Sequence, residues 1–282
     1  VSMVFSWKAA YDPGFIALTT ANMTGANRLL VGLGWPLVFL LFWLHSKGRD
    51  IHFPRQLSLE VFFLALATMY SLVLVLKASI SLWDAAVLAV IFGVYVWLIS
   101  KEEQEDPELM GPAASLATLS PKARRVAVGL LFLFPAAIIV ACAEPFTESL
   151  LEVGASLNID EFILVQWIAP LTSEAPEILI ASILTLRGHA VAAMIALISS
   201  KVNQWTLLIG GIPLMYSLSA TESSGALHLL SMPLDVAYEV GQGLVRDLRQ
   251  LEEVFLTAAQ SLLAVVLLIR LRLSWSAAIT LF

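Results

Sequence analysis

Cysteine is almost absent: the 282 residues contain one, Cys142. It closes no internal disulfide, and a metal cage built on thiolates is excluded. Charged residues make up only 13% of the chain, about half the share in an ordinary soluble protein, roughly 25%. No basic patch exists for a nucleic acid to read. The histidines, His45, His52, His189 and His228, are scattered. Neither H-E-x-x-H nor a nucleophile spaced with its base occurs, so the chain does not read as an intramembrane hydrolase or any other enzyme, and no cofactor is expected. A net charge of -6 decides nothing.

What fills the chain instead is apolar, 59% of residues. Runs near the roughly 20 residues that cross a bilayer core fall at about 29–45, 57–76, 82–99, 124–143, 161–186, 205–218 and 253–271. The fold class is therefore an all-α integral membrane bundle, with the lipid bilayer as its solvent. The chain starts at Val1 without methionine and stops inside an apolar run, so it reads as a fragment of a longer protein. Basic residues are retained on the cytoplasmic side of membranes. Lys47, Arg49, Arg55, Lys101, Lys122, Arg124, Arg125, Arg187, Arg270 and Arg272 collect on one side, and Lys8, Lys77, Arg246 and Arg249 on the other. Loops 46–55 and 101–123 are thus expected in the cytoplasm of a multi-pass protein of the cell membrane. The longer loop holds KEEQEDPELMGP and reads as a solvated linker between front and back helices.

The residues with chemistry sit in TSEAPEILIASILTLRGH, 172–189. Glu174 and Glu177 flank a proline within a segment apolar enough for lipid, and ionisable groups at that depth mark ion or substrate paths. Pro170 and Pro176 should break the helix and free carbonyls for a cation. Transporters place binding sites in such broken helices.

An offset of 176 residues relates two segments without a gap: Thr24 falls on Ser200, Asn27 on Asn203, Arg28 on Gln204 and Gly34 on Gly210. An odd number of crossings separates them, so the repeats should be inverted.

These residues resemble the second signature repeat of the cation/calcium exchanger superfamily, Gly-Thr-Ser-x-Pro-Glu followed by a basic-Gly-His helix end and Gly-Ser-Asn-x-x-Asn/Asp. Pro176-Glu177, Arg187-Gly188-His189, Ser200, Gln204 and Gly210 match in one register. The resemblance implies ten helices in the full protein, about eight to nine here, as two inverted repeats around mid-membrane cation sites. Residues 1–100 would be the front repeat, truncated at its start, 101–123 the acidic cytoplasmic linker and 124–282 the back repeat, truncated at its end. Val1 stands where the front glutamate would be expected. The implied function is antiport of calcium or sodium against protons or sodium by alternating access, with inorganic cations and protons as partners. Glu177 would be the principal cation carboxylate, joined by Glu174, Ser173, Ser200, Gln204, Asn203, Thr24 and Asn27. Calcium and sodium prefer such oxygen donors, and a buried glutamate takes a proton when the metal leaves.

Four positions depart from the family pattern: Glu174 replaces serine, Gln204 replaces Asn or Asp, Arg28 replaces asparagine, and Lys201 replaces the asparagine beside Ser200. Arg28 and Lys201 are expected as internal partners of Glu174 or Glu177, with the arginine as a built-in substitute for one bound cation. The competing reading is a non-transporting membrane scaffold whose ion site these bases have closed. Asn27 and Asn203 also suit helix-packing hydrogen bonds, and His189 suits an interfacial anchor. Glu144 and Glu148 share a helix face at the outer end of their run and are expected to be solvated. Residues 232–255 read as an amphipathic or re-entrant piece at the interface. Trp7, Trp43, Trp83, Trp97 and Trp275 read as interfacial anchors.

Overall fold

The computed structural model describes residues 1–48, 50–55, 57–101, 112–224, 230–240 and 243–282. The acidic run read as a linker lies largely outside these residues. Helices dominate: α1 (Ser2–Ala9), α2 (Ile16–Leu29), α3 (Trp35–Ser46), α4 (Leu57–Lys77), α5 (Leu82–Ile99), α6 (Pro112–Ala117), α7 (Pro121–Ser156), α8 (Glu161–Ile163), α9 (Ala169–Ser173), α10 (Ala175–Leu186), α11 (Ala190–Asn203), α12 (Ile209–Ser224), α13 (Arg249–Leu268) and α14 (Trp275–Leu281). Six helical stretches, or seven with the bent pair Glu161–Ser173 and Ala175–Leu186, are long and apolar enough to cross a membrane.

Three of the apolar runs extend further than their hydropathy shows. The run at 29–45 is the end of a helical stretch from Pro13 to Ser46, that at 205–218 lies within Ala190–Glu222, and that at 124–143 lies within Pro121–Ser156. The first extension is carried by Thr19, Thr20, Asn22, Thr24 and Asn27, all buried in the protein. Polar residues that face other helices lower hydropathy without exposing anything to lipid.

Proline shapes the crossings. The helical path widens into π-turns at Leu30–Gly34, Leu164–Ile168 and Gln204–Leu208. Pro36 and Pro170 each follow such a turn by two residues. A proline lacks the N–H and crowds the carbonyl four residues back, and a wider turn makes room for it. For Pro170 that carbonyl belongs to Gln166. It meets α2 at Gly25, where an added Cβ would lie 1.8 Å from the Gln166 oxygen. Only glycine permits that crossing.

Packing follows a two-fold pattern. Helix α1 lies against α2 and α12, while α10 lies against α11 and α3; α2 touches α13, and α11 touches α4; α4 and α13 pack on each other. Exchanging α1 with α10, α2 with α11, α3 with α12 and α4 with α13 reproduces the same set of neighbours. Short strands obey the exchange too. β1 (Asp50–His52) follows α3, β2 (Ser79–Ile80) follows α4, β3 (Met232–Pro233) follows α12 and β6 (Arg272–Ser274) follows α13. β1 pairs antiparallel with β6, and β2 with β3. The chain reverses at each crossing, so these ribbons close opposite ends of the bundle, and the repeats are inverted. The core between them holds Trp35, Phe39, Leu64, Met194 and Trp205.

The segment at 232–255, expected as an amphipathic or re-entrant piece, is built mainly of strands. It contains β3, a hairpin of β4 (Val236–Val240) with β5 (Gly243–Asp247), and the first turns of α13. Val, Tyr and Val at 236, 238 and 240 alternate in sequence, a period that favours a strand over a helix with one apolar stripe. Glu144 and Glu148 are exposed, as expected, but differ in position. They stand within α7 rather than at its end, and Lys8 of α1 meets both, at 3.6 and 2.8 Å. Of the tryptophans, Trp83 and Trp97 are exposed, whereas Trp43 and Trp275 stack edge to face with ring centroids 5.2 Å apart.

Candidate ion site

The chain bends by 44° where α9 gives way to α10. Pro176 denies the Thr172 carbonyl its usual donor, so the α9 path ends, and Glu174 occupies the junction. That side chain is buried and accepts a hydrogen bond from Gln204 Nε2 at 2.8 Å. Glu177 follows in the first turn of α10, where the helix dipole favours a negative charge. Its Oε2 is buried and has no hydrogen-bond partner among the described residues, and the same holds for Gln204 Oε1. A buried oxygen left unpaired is costly unless something visits it.

The break has α2 and α11 as neighbours, α9 packing on α2 and α10 on α11. Thr24 is buried and donates its hydroxyl to the Thr20 and Ala21 carbonyls, at 2.9 and 3.1 Å, which leaves oxygen lone pairs but no free proton. Asn27 donates Nδ2 to the Met23 carbonyl at 3.1 Å. Its backbone oxygen and its Oδ1 both accept from Lys201 Nζ, at 2.9 and 3.2 Å. Ser200 is half-buried on α11, while Ser173 is exposed and donates to the Pro170 carbonyl at 3.3 Å. Asn203 is exposed, so it lies on the other face of α11 from buried Lys201 and Gln204. The structure thus gathers Glu174, Glu177 and Gln204 at the break and pairs Asn27 with Lys201. Among the described residues no group of three or more His, Cys, Asp and Glu side chains comes together.

Arg28 does not reach either glutamate of the break. It forms an ion pair with Glu253 of α13 and donates Nε to Thr257 Oγ1 at 3.0 Å, and Gln166 Nε2 donates to the same carboxylate. About two turns earlier on α2, Thr20 donates to Gln250 Oε1 of α13 at 2.7 Å. Lys201 makes no ion pair with Glu174 or Glu177 among the described residues; its hydrogen bonds go to Asn27, and it acts on Glu174 only through the field of its charge. Sequence reading passed over Glu253. The available signal was Arg28 itself, a lone fixed charge in an apolar helix, which needs a carboxylate partner somewhere.

The model for the sodium/calcium exchanger protein family matches residues 1–101 and 127–282. The chain belongs to the sodium/calcium exchanger protein family. Among solved structures, the H+/Ca2+ exchanger CAX is 45% identical with a TM-score of 0.89, the match covering 100% of this chain and 67% of that one. The sodium-calcium exchanger NCX_Mj is 16% identical with a TM-score of 0.59, covering 99% of this chain and 78% of that one. At that identity the second likeness speaks for the fold alone. No curated protein matches the chain. This exchanger is therefore a multi-pass membrane protein of a cation-transporting family, not of an enzyme family.

Proposed function

We propose that the protein is a secondary antiporter that exchanges a divalent metal cation, calcium foremost, for protons by alternating access. The observation that carries this reading is the pair of buried, unpartnered oxygens, Glu177 Oε2 and Gln204 Oε1, beside Glu174 at the α9–α10 break. All three groups offer oxygen, the donor that hard cations require. Two carboxylates neutralise one divalent cation, and two protons restore the same balance when it leaves, so the buried site need never hold an uncompensated charge. The 45% identity to the H+/Ca2+ exchanger CAX favours the same pair of ions here. Thr24 and Ser200 are the candidates for further oxygen ligands from α2 and α11. In this reading the β1–β6 end of the bundle, with the loops at 46–55 and 101–123, faces the cytoplasm of the cell membrane.

The test is calcium flux into proteoliposomes driven by a proton gradient, using the full-length protein. Glu177→Gln keeps the shape and removes the charge, and flux should fall by at least about 100-fold, as for loss of a metal's supporting group or worse. Wild-type flux with Glu177→Gln would move the site elsewhere. No cation flux at all would favour the scaffold reading.

A further inference from the structure

Lys201 supplies no ligand to the exchange just described, although its charge acts on Glu174, and it is fully buried. An ammonium has three protons and no lone pair, so it ligates no metal. Burying it is costly unless oxygens replace its water. Here they do: the Asn27 carbonyl lies at 2.9 Å and Asn27 Oδ1 at 3.2 Å. The Trp205 ring stands 6.0 Å away, within reach of a cation–π attraction. A backbone carbonyl and an amide oxygen on one inward helix face are what a small monovalent cation would take from the protein. In this chain a side chain of the opposite repeat has filled that place from within.

We propose that the Lys201 ammonium is a tethered cation occupying a monovalent-ion place between α2 and α11, so that this exchanger takes its divalent cation without sodium as a counter-ion. The proposal rests on the exchanger reading above and adds to it the class of ion that is shut out. Arg28 is not that substitute, because its charge is spent on Glu253. A tethered charge cannot leave with the transported ions. The place therefore stays full through the whole cycle, and no sodium gradient can be coupled through it.

The experiment measures calcium uptake and sodium uptake in proteoliposomes containing full-length protein, with sodium present or replaced by a large organic cation. Wild type should carry calcium equally in both media and carry no sodium. Lys201→Asn and Lys201→Ser empty the place and should gain sodium dependence of about fivefold or more, the usual scale of coupling between two bound ligands. Lys201→Arg retains a fixed charge and should stay insensitive to sodium. Sodium-dependent calcium flux in wild type would overturn the tethered cation while leaving the exchanger reading intact. So would a folded Lys201→Asn or Lys201→Ser that transports calcium without responding to sodium. If both variants fail to fold, sodium dependence gained by Lys201→Arg, or its absence together with a sodium-inert wild type, decides against or for the proposal. Absence of any calcium flux in wild type would remove the exchanger reading and this inference with it.

Discussion

Single residues set both the contacts and the chemistry of this bundle. Gly25 is where α2 meets the carbonyl that Pro170 leaves unpaired, and a Cβ there would collide with backbone, which cannot turn aside as a side chain can. Gly25→Ala should therefore destabilise the protein by about 1–3 kcal/mol, the usual cost of overpacking. A thermal melt in detergent would register this as a lowered Tm. Gly93 in α5 is the control, since nothing lies within 4 Å of its would-be Cβ, and Gly93→Ala should leave Tm unchanged or slightly raised. Neither glycine stood out in the sequence. A glycine in a membrane helix is common, and only the position of the neighbouring chain separates the one that matters from the one that does not.

Elements are joined by polar ties that the apolar faces alone would not specify. Arg28 of α2, Glu253 and Thr257 of α13 and Gln166 of the π-turn after α8 form one such tie. The two charged side chains are 16% and 18% exposed, so solvent screens them little. Removing one partner strands the other, and Glu253→Ala should cost on the order of 3 kcal/mol. The double replacement Arg28→Met with Glu253→Met should regain most of that loss, because an apolar pair leaves no charge behind. Urea or thermal titration of the single and double variants measures both. Wild-type stability in Glu253→Ala would show that the pair contributes nothing. The expectation that Arg28 answers Glu174 or Glu177 failed because sequence distance says nothing about which carboxylate a long side chain will meet. Likewise 232–255 holds a hairpin in which β4 pairs with β5; alternation marks β4 as a strand, but the partner is set by the fold.

At the scale of the molecule, inversion has a consequence for labelling. His52 in β1 pairs with Arg272 in β6, and both are exposed. Ser231, exposed beside β3, belongs to the opposite end. In a Cys142→Ala background, His52→Cys and Arg272→Cys should react with a membrane-impermeant maleimide from one side only. Ser231→Cys should react only from the other. Labelling of all three from one side would break the inverted arrangement. If the basic residues orient the chain, the side shared by His52 and Arg272 is the cytoplasm.

The sequence by itself determined that this is a helical membrane protein, because apolar length and scarce charge leave lipid as the only matching solvent. It also located most crossings in outline and the break at Pro176, but not the polar-lined ends of the crossings, nor which prolines are absorbed: Pro135, Pro145 and Pro213 lie inside continuous helices. The inverted order followed from counting crossings. Only the tertiary structure decided which polar groups meet. It set Gln204 on Glu174, Lys201 on Asn27 and Arg28 on Glu253, and it turned Asn203 away from all of them. The physical reason is that a buried polar group takes whatever partner packing brings within about 3 Å, and packing depends on helix faces, tilts and π-turns spread over the whole chain.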